Sequence, residues 1–204
     1  MTSVLTGDII KSRSINNPDL WLQTLKNALT TIEADSSLWE IYRGDSFQIE
    51  IKDVKKSFEA AVYLKACIKT FKKLDVRLGI GIGAKTYIGQ SITESQGEAF
   101  QNSGETLETL KKEKQNLKIK TPNKQLDQEL NLYFKLALLG MDRWTVNSAE
   151  IIKLSLENPK AIQEELGEIL GINQNAISQR QKRANLEEIL ELNTMYQQKI
   201  TQEL

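Results

Sequence analysis

Histidine is absent from this 204-residue chain, cysteine occurs once and proline three times. Without histidine there is no Ser-His-Asp or Cys-His nucleophilic site and no histidine-containing zinc site. A lone Cys67 makes no internal disulfide and no thiolate metal cage. Set among Val62, Leu64 and Ile68, it reads as core filler in a protein of the reducing cytoplasm. Any chemistry therefore falls to carboxylates. No apolar run approaches the roughly 20 residues of a membrane helix, and no basic-then-apolar leader opens the chain, so no membrane partner is expected.

Net charge is missing as well, because 27 Lys and Arg balance 27 Asp and Glu. A protein that coats nucleic acid through its overall field is thereby excluded, and any such contact must be local. The two parts of the chain differ, however. Residues 1–124 hold 19 basic and 15 acidic side chains, leaving 8 and 12 for residues 125–204. Near Thr121-Pro122-Asn123 the pattern also changes from alternating strands and helices to helices alone, which predicts two domains, 1–122 and 123–204.

In the first part, Val4, Leu5, Ile9 and Ile10 flank Gly7-Asp8, and Asn16-Asn17-Pro18 forms a helix start before Trp21, Leu25, Leu29 and Ile32. Trp39, Ile41, Phe47, Ile49 and Ile51 alternate around Arg43-Gly44-Asp45-Ser46, a hairpin with its turn in the middle. Val54 to Phe71 carries a second amphipathic helix. Val76, Leu78, Ile80 and Ile82 then alternate with Arg77, Gly79, Gly81 and Gly83, giving a strand with one aliphatic and one nearly bare face. These glycines repeat at period two within a strand, so they do not form a Rossmann loop. They mark either close approach of a packed element or a ligand groove. A further helix through Phe100, Leu107 and Leu110 and an edge strand Leu117–Lys120 complete the part.

The order β-α-β-β-α-β predicts a ferredoxin-like α+β domain whose helices cover one sheet face and leave the other free. Its inner strands bring Asp8 and Asp45 to one sheet end. Two carboxylates there suit magnesium or manganese, which fill the rest of their shell with water and phosphate oxygens, and the expected ligand is a nucleotide. The alternative is that each Asp simply occupies a turn.

In the second part, Leu126 to Leu138 forms an amphipathic helix predicted to end at Gly140, and Asn147 with Glu150 forms a capping pair for the next one. Residues 162–180 then read as a helix-turn-helix: Gly167 permits a close crossing, Gly171 suits positive φ, and Ile172 and Ile177 fill the core. The second helix projects Gln174, Asn175, Ser178 and Gln179 toward base edges, with Arg180, Lys182 and Arg183 for phosphates of duplex DNA. A trihelical protein-interaction module of the same shape is the alternative, favoured by the acidic balance of this part. Leu186 to Tyr196 predicts a last helix that packs back or pairs with a second copy, and a homodimer is expected.

Four ordered motifs, Gly7-Asp8-Ile9-Ile10, Arg43-Gly44-Asp45-Ser46-Phe47-Gln48, Arg77 to Gly83 and Gly97-Glu98-Ala99-Phe100-Gln101-Asn102-Ser103-Gly104, precede that helix-turn-helix. Together they resemble the SatD family of bacterial proteins over nearly the whole chain. More distantly, residues 1–121 resemble the catalytic domain of class III nucleotidyl cyclases and its palm-like relatives. That resemblance implies Asp8 and Asp45 as metal ligands, and positions near the nucleotide for Ile9, Gly44 and Gln101. It also places Glu105 where cyclases carry the Arg that stabilises the transition state, and an acid there repels the developing charge. The sequence thus predicts a transcriptional regulator whose cyclase-like domain binds nucleotide and metal, with a nucleotidyl cyclase or nucleotidyltransferase enzyme as the alternative ranked second because of Glu105. Nucleotide occupancy would alter the spacing of paired DNA-binding domains. A degenerate domain kept for dimerisation is the remaining alternative.

Overall fold

Strand β1 (Thr2–Ile10) runs through the middle of a five-stranded sheet in a computed structural model that covers residues 1–204. The sheet order is β2-β3-β1-β4-β5, with β2 at Trp39–Tyr42, β3 at Ser46–Ile51, β4 at Asp75–Gly83 and β5 at Leu117–Lys120. β1 is antiparallel to both its neighbours, β2 is antiparallel to β3, and β5 joins β4 in parallel, so the sheet is mixed. The turn into β3 is left-handed at Arg43 and Gly44, as a tight hairpin requires.

Helix α1 (Pro18–Ile32) starts where Asn16-Asn17-Pro18 predicts, the Asn17 side chain accepting from the Asp19 amide at 3.1 Å. Helix α2 (Ser57–Lys69) departs from expectation. Every residue except Glu59 is buried, so it is no surface amphipathic helix. The reason is a second layer of helices, α4 (Lys124–Met141), α5 (Val146–Glu157) and α8 (Leu186–Glu203), which close over its outer side. Phe58 of α2 stacks on Phe134 of α4 with centroids 4.8 Å apart, and Tyr196 of α8 tilts against both while its hydroxyl donates to the Val54 carbonyl. A single core of 41 buried side chains therefore runs from β1 to Ile200 across the 122/123 seam.

Polar ties cross the same seam. Lys65, about 1% exposed, donates to Asp75 at 2.6 Å and pairs with Asp142 at 2.7 Å, while Lys69 adds the Asp142 carbonyl. A buried lysine is tolerated only with such partners.

The other sheet face is not free. Helix α3 (Glu98–Glu113) lies on it so closely that a Cβ on Gly81 would come within 2.2 Å of the Ala99 carbonyl and the Ser103 amide. The bare side of β4 thus serves backbone-to-sheet contact rather than an open groove. α3 also meets β1, where Thr6 and Ser103 share a hydrogen bond of 2.8 Å.

Helices α6 (Gln163–Leu170) and α7 (Gln174–Ala184) are short and joined by three residues. Gly171, at φ 66°, closes α6, and Asn173 caps α7 by accepting from the Ala176 amide at 2.9 Å. Two expected caps move. α4 continues through Gly140 to Met141, and α5 is capped by Thr145, which accepts from the Ser148 amide, instead of by Asn147. Glu150 is then free to pair with Arg180 at 2.7 Å. No helix is long and apolar enough to cross a membrane.

Candidate functional site

Antiparallel register places Tyr42, Ser46, Asp8 and Arg77 in one row across four strands, on the face that also carries α3. Asp45 stands in the adjoining turn. Its carbonyl accepts from the Ile9 amide at 2.9 Å and its carboxylate from Ser12 at 2.6 Å, so the hairpin is tied to the end of β1. Burial raises the Asp8 carboxyl above its usual range, and Asp45 pushes the same way, against the pull of Arg77 and Lys111. Burial likewise raises the Tyr42 phenol, with Asp8 adding to it.

Arg77 Nε lies 3.3 Å from Asp8 Oδ1, yet both atoms are buried and neither makes a hydrogen bond. That oxygen has no hydrogen bond, but the Arg77 guanidinium is its ionic partner, so a cation held between Asp8 and Asp45 would have to compete with Arg77. No group of three or more Asp, Glu, Cys or His side chains is arranged around one. Water and phosphate oxygens would have to supply most of a divalent ion's shell.

The residues assigned to the nucleotide are less well gathered. Ile9 is 3% exposed and its amide already has a partner. Gly44 is exposed at the turn tip. Gln101 is exposed on α3, whereas the α3 side chains whose charges reach Asp8 are Glu108 and Lys111. Seven residues of helix separate Gln101 from Glu108, about 10 Å along the axis. Glu105 is engaged by Lys120. Arg77 and Tyr42 were legible only as a break in a glycine alternation and as a strand end.

A second cluster is built on α7. Ile177 is fully buried, the Trp144 indole donates to the Ala184 carbonyl at 2.9 Å, and Arg180 reaches back to Glu150. These contacts fix the helix so that Asn175, Ser178, Gln179 and Lys182 form an exposed stripe at i, i+3, i+4 and i+7, with Gln174 and Arg183 exposed at its edges. Arg180 alone among the predicted residues turns inward.

The stripe has unlike flanks. On one side Ser178 and Lys182 face Glu187, Glu188 and Glu191 of α8 across a cleft of about 710 Å³. On the other, Gln179 and Arg183 share a cleft of about 430 Å³ with Arg143, Thr145 and Asn147 at the start of α5. Arg143 stands outside the predicted motif, and only folding brings it beside α7.

The chain matches the model of the SatD family over residues 3–200 and belongs to that family. No curated protein matches it.

Proposed function

We propose that this SatD family member is a helix-turn-helix DNA-binding regulator whose α7 reads duplex DNA. The exposed stripe Asn175, Ser178, Gln179 and Lys182 carries this reading, since amides and a hydroxyl on a rigidly backed helix offer both donors and acceptors to base edges. Arg183 and Arg143 add phosphate contacts on the basic flank, and the α8 acids set the side from which a duplex is repelled. The positive φ at Gly171 and the Asn173 cap support reading α6 and α7 as the two helices of the motif.

The strand order β2-β3-β1-β4 and its antiparallel pairing support a ferredoxin-like, cyclase-related first domain. Within it, Asp8 and Asp45 would hold magnesium or manganese brought by a nucleotide, the ion neutralising phosphate oxygens at the sheet end. The placement of Asp8 and Asp45 at one sheet end, with no hydrogen bond to Asp8 Oδ1, supports this second site, in which the ion would displace Arg77 from Asp8. Cyclase or nucleotidyltransferase turnover is disfavoured, because Glu105 is an acid paired with Lys120 and Gln101 lies far along α3. A homodimer is part of this reading, because two copies would present two α7 helices to one duplex.

Selection of bound sequences from a random duplex pool by the full chain tests the main reading. Enrichment of a motif by the wild type that is lost in an Asn175→Ala, Gln179→Ala variant supports it; no enrichment by the wild type refutes it. Thermal melting with nucleotides and magnesium or manganese tests the second site, where a metal-dependent shift must disappear in Asp8→Asn, Asp45→Asn.

A further inference from the structure

The basic flank of α7 does not stop at Arg143. Thr145 lines the cleft that holds Arg143 and Arg183, and it also lines a neighbouring cleft of about 360 Å³ containing Lys11, Lys72 and Lys73 of the first domain. The start of α5 thus lies between two sets of cations, one from each part of the sequence. Lys11 follows β1, and Lys72 and Lys73 lie in the connection between α2 and β4, so the sheet brings them to one end.

Five of these cations, Lys11, Lys72, Lys73, Arg143 and Arg183, are exposed and none makes an ion pair. The acids nearby are already engaged: Asp75 by Lys65 and Lys69, Asp142 by Lys65, and Glu150 by Arg180. A chain of zero net charge therefore carries an uncompensated basic track across the seam between its two parts. Lys11 and Lys73 also hold φ values of 62° and 80°, where glycine or asparagine would be less strained.

We propose that this track is a phosphate-contacting surface for duplex DNA, so that Lys11, Lys72 and Lys73 of the first domain grip the backbone beside the segment read by α7. The inference rests on the DNA-binding reading and extends it to residues outside the helix-turn-helix. A rigid shared core holds the two sets of cations in fixed relation, so backbone contacts from both parts act on one duplex. Position along the DNA comes from α7, and a sequence-independent share of affinity comes from the lysines.

The test is fluorescence anisotropy of labelled duplexes from 50 to 200 mM KCl with the full-length wild type, a Lys11→Gln, Lys72→Gln, Lys73→Gln variant and the Asn175→Ala, Gln179→Ala variant. Losing three phosphate contacts should lower the slope of log K against log salt by about 2.7 and weaken binding equally for all sequences, while the α7 variant loses sequence preference with little change of slope. A wild type that binds DNA with a triple variant of unchanged slope overturns the proposal and leaves the α7 reading standing. A wild type that binds no duplex overturns both. Binding of the same track to anionic phosphatidylserine vesicles, lost in the triple variant while the DNA slope is unchanged, assigns the track to a membrane surface and likewise overturns the proposal. The three lysines are exposed, and an unchanged melting temperature for the triple variant confirms its fold.

Discussion

The α7 surface and the Asp8 corner carry comparable numbers of charged and polar groups, but they differ in what those groups already touch. Along α7, Asn175, Ser178, Gln179 and Lys182 face solvent, and only Arg180 is consumed in an ion pair. At the corner, Asp8 lies against Arg77, Asp45 holds Ser12 and the Ile9 amide, and α3 closes the face beside them. A surface whose donors and acceptors are unspent can take up a large ligand without rearrangement. A corner whose charges neutralise each other must exchange those contacts for new ones, which lowers net affinity.

The contrast can be broken or sharpened in order of expected effect. Ile177→Ala should cost about 2–5 kcal/mol in urea unfolding, because the fully buried side chain that anchors α7 to the core is cut back, and DNA binding should fall with it. Loss of stability with full DNA binding would detach the surface from its backing. Gly81→Ala should cost about 1–3 kcal/mol, since the new methyl meets α3 backbone that cannot yield as a side chain would. An unchanged melting temperature would mean that α3 is not clamped to the sheet.

Smaller effects separate the charges. Arg183→Ala should reduce the salt slope of DNA binding by about 0.9, and Arg180→Ala by less, because Arg180 is already paired with Glu150. Equal slopes would remove that distinction. Asp8→Asn should raise the melting temperature slightly at neutral pH, since burial raises the folded-state pKa of Asp8 and so penalises its ionised form. A group with a raised folded pKa contributes stability at low pH that is lost as pH rises through that pKa, so the advantage of the variant should shrink on acidification toward pH 4. An advantage independent of pH would assign the effect to packing.

Much of the local structure was legible because its signals are local. Asn17-Pro18 starts a helix, Arg43 to Ser46 turns a hairpin, and the alternation of Val76 to Ile82 is a strand, each decided within a few residues. What required long-range contact was not legible. α2 looks amphipathic until helices more than 50 residues away cover its outer side. The glycines of β4 suit a groove and a close approach equally well, and only the backbone of α3 lying against Gly79 and Gly81 decides for the latter. Asn147 makes a good cap in sequence, yet Thr145 caps α5, and Glu150 pairs with Arg180 on a helix that the local sequence does not reveal as its neighbour. At the corner, the cyclase resemblance points to Gln101 and Glu105, whereas helix geometry carries Glu108 and Lys111 toward Asp8. The stripe on α7 was easier, because exposure on one helix follows from its period alone.

The shared aromatic stack has a consequence for how the chain comes into being. Phe58 leaves the ribosome 138 residues before Tyr196, the side chain that completes its cover. At bacterial and eukaryotic synthesis rates of about 5–20 residues per second, that interval is roughly 7–28 s. Until Phe134 and then α5 are made the outer side of α2 stands open, and Tyr196 covers it last, so the newborn first half should be a client of holding chaperones until these later helices arrive.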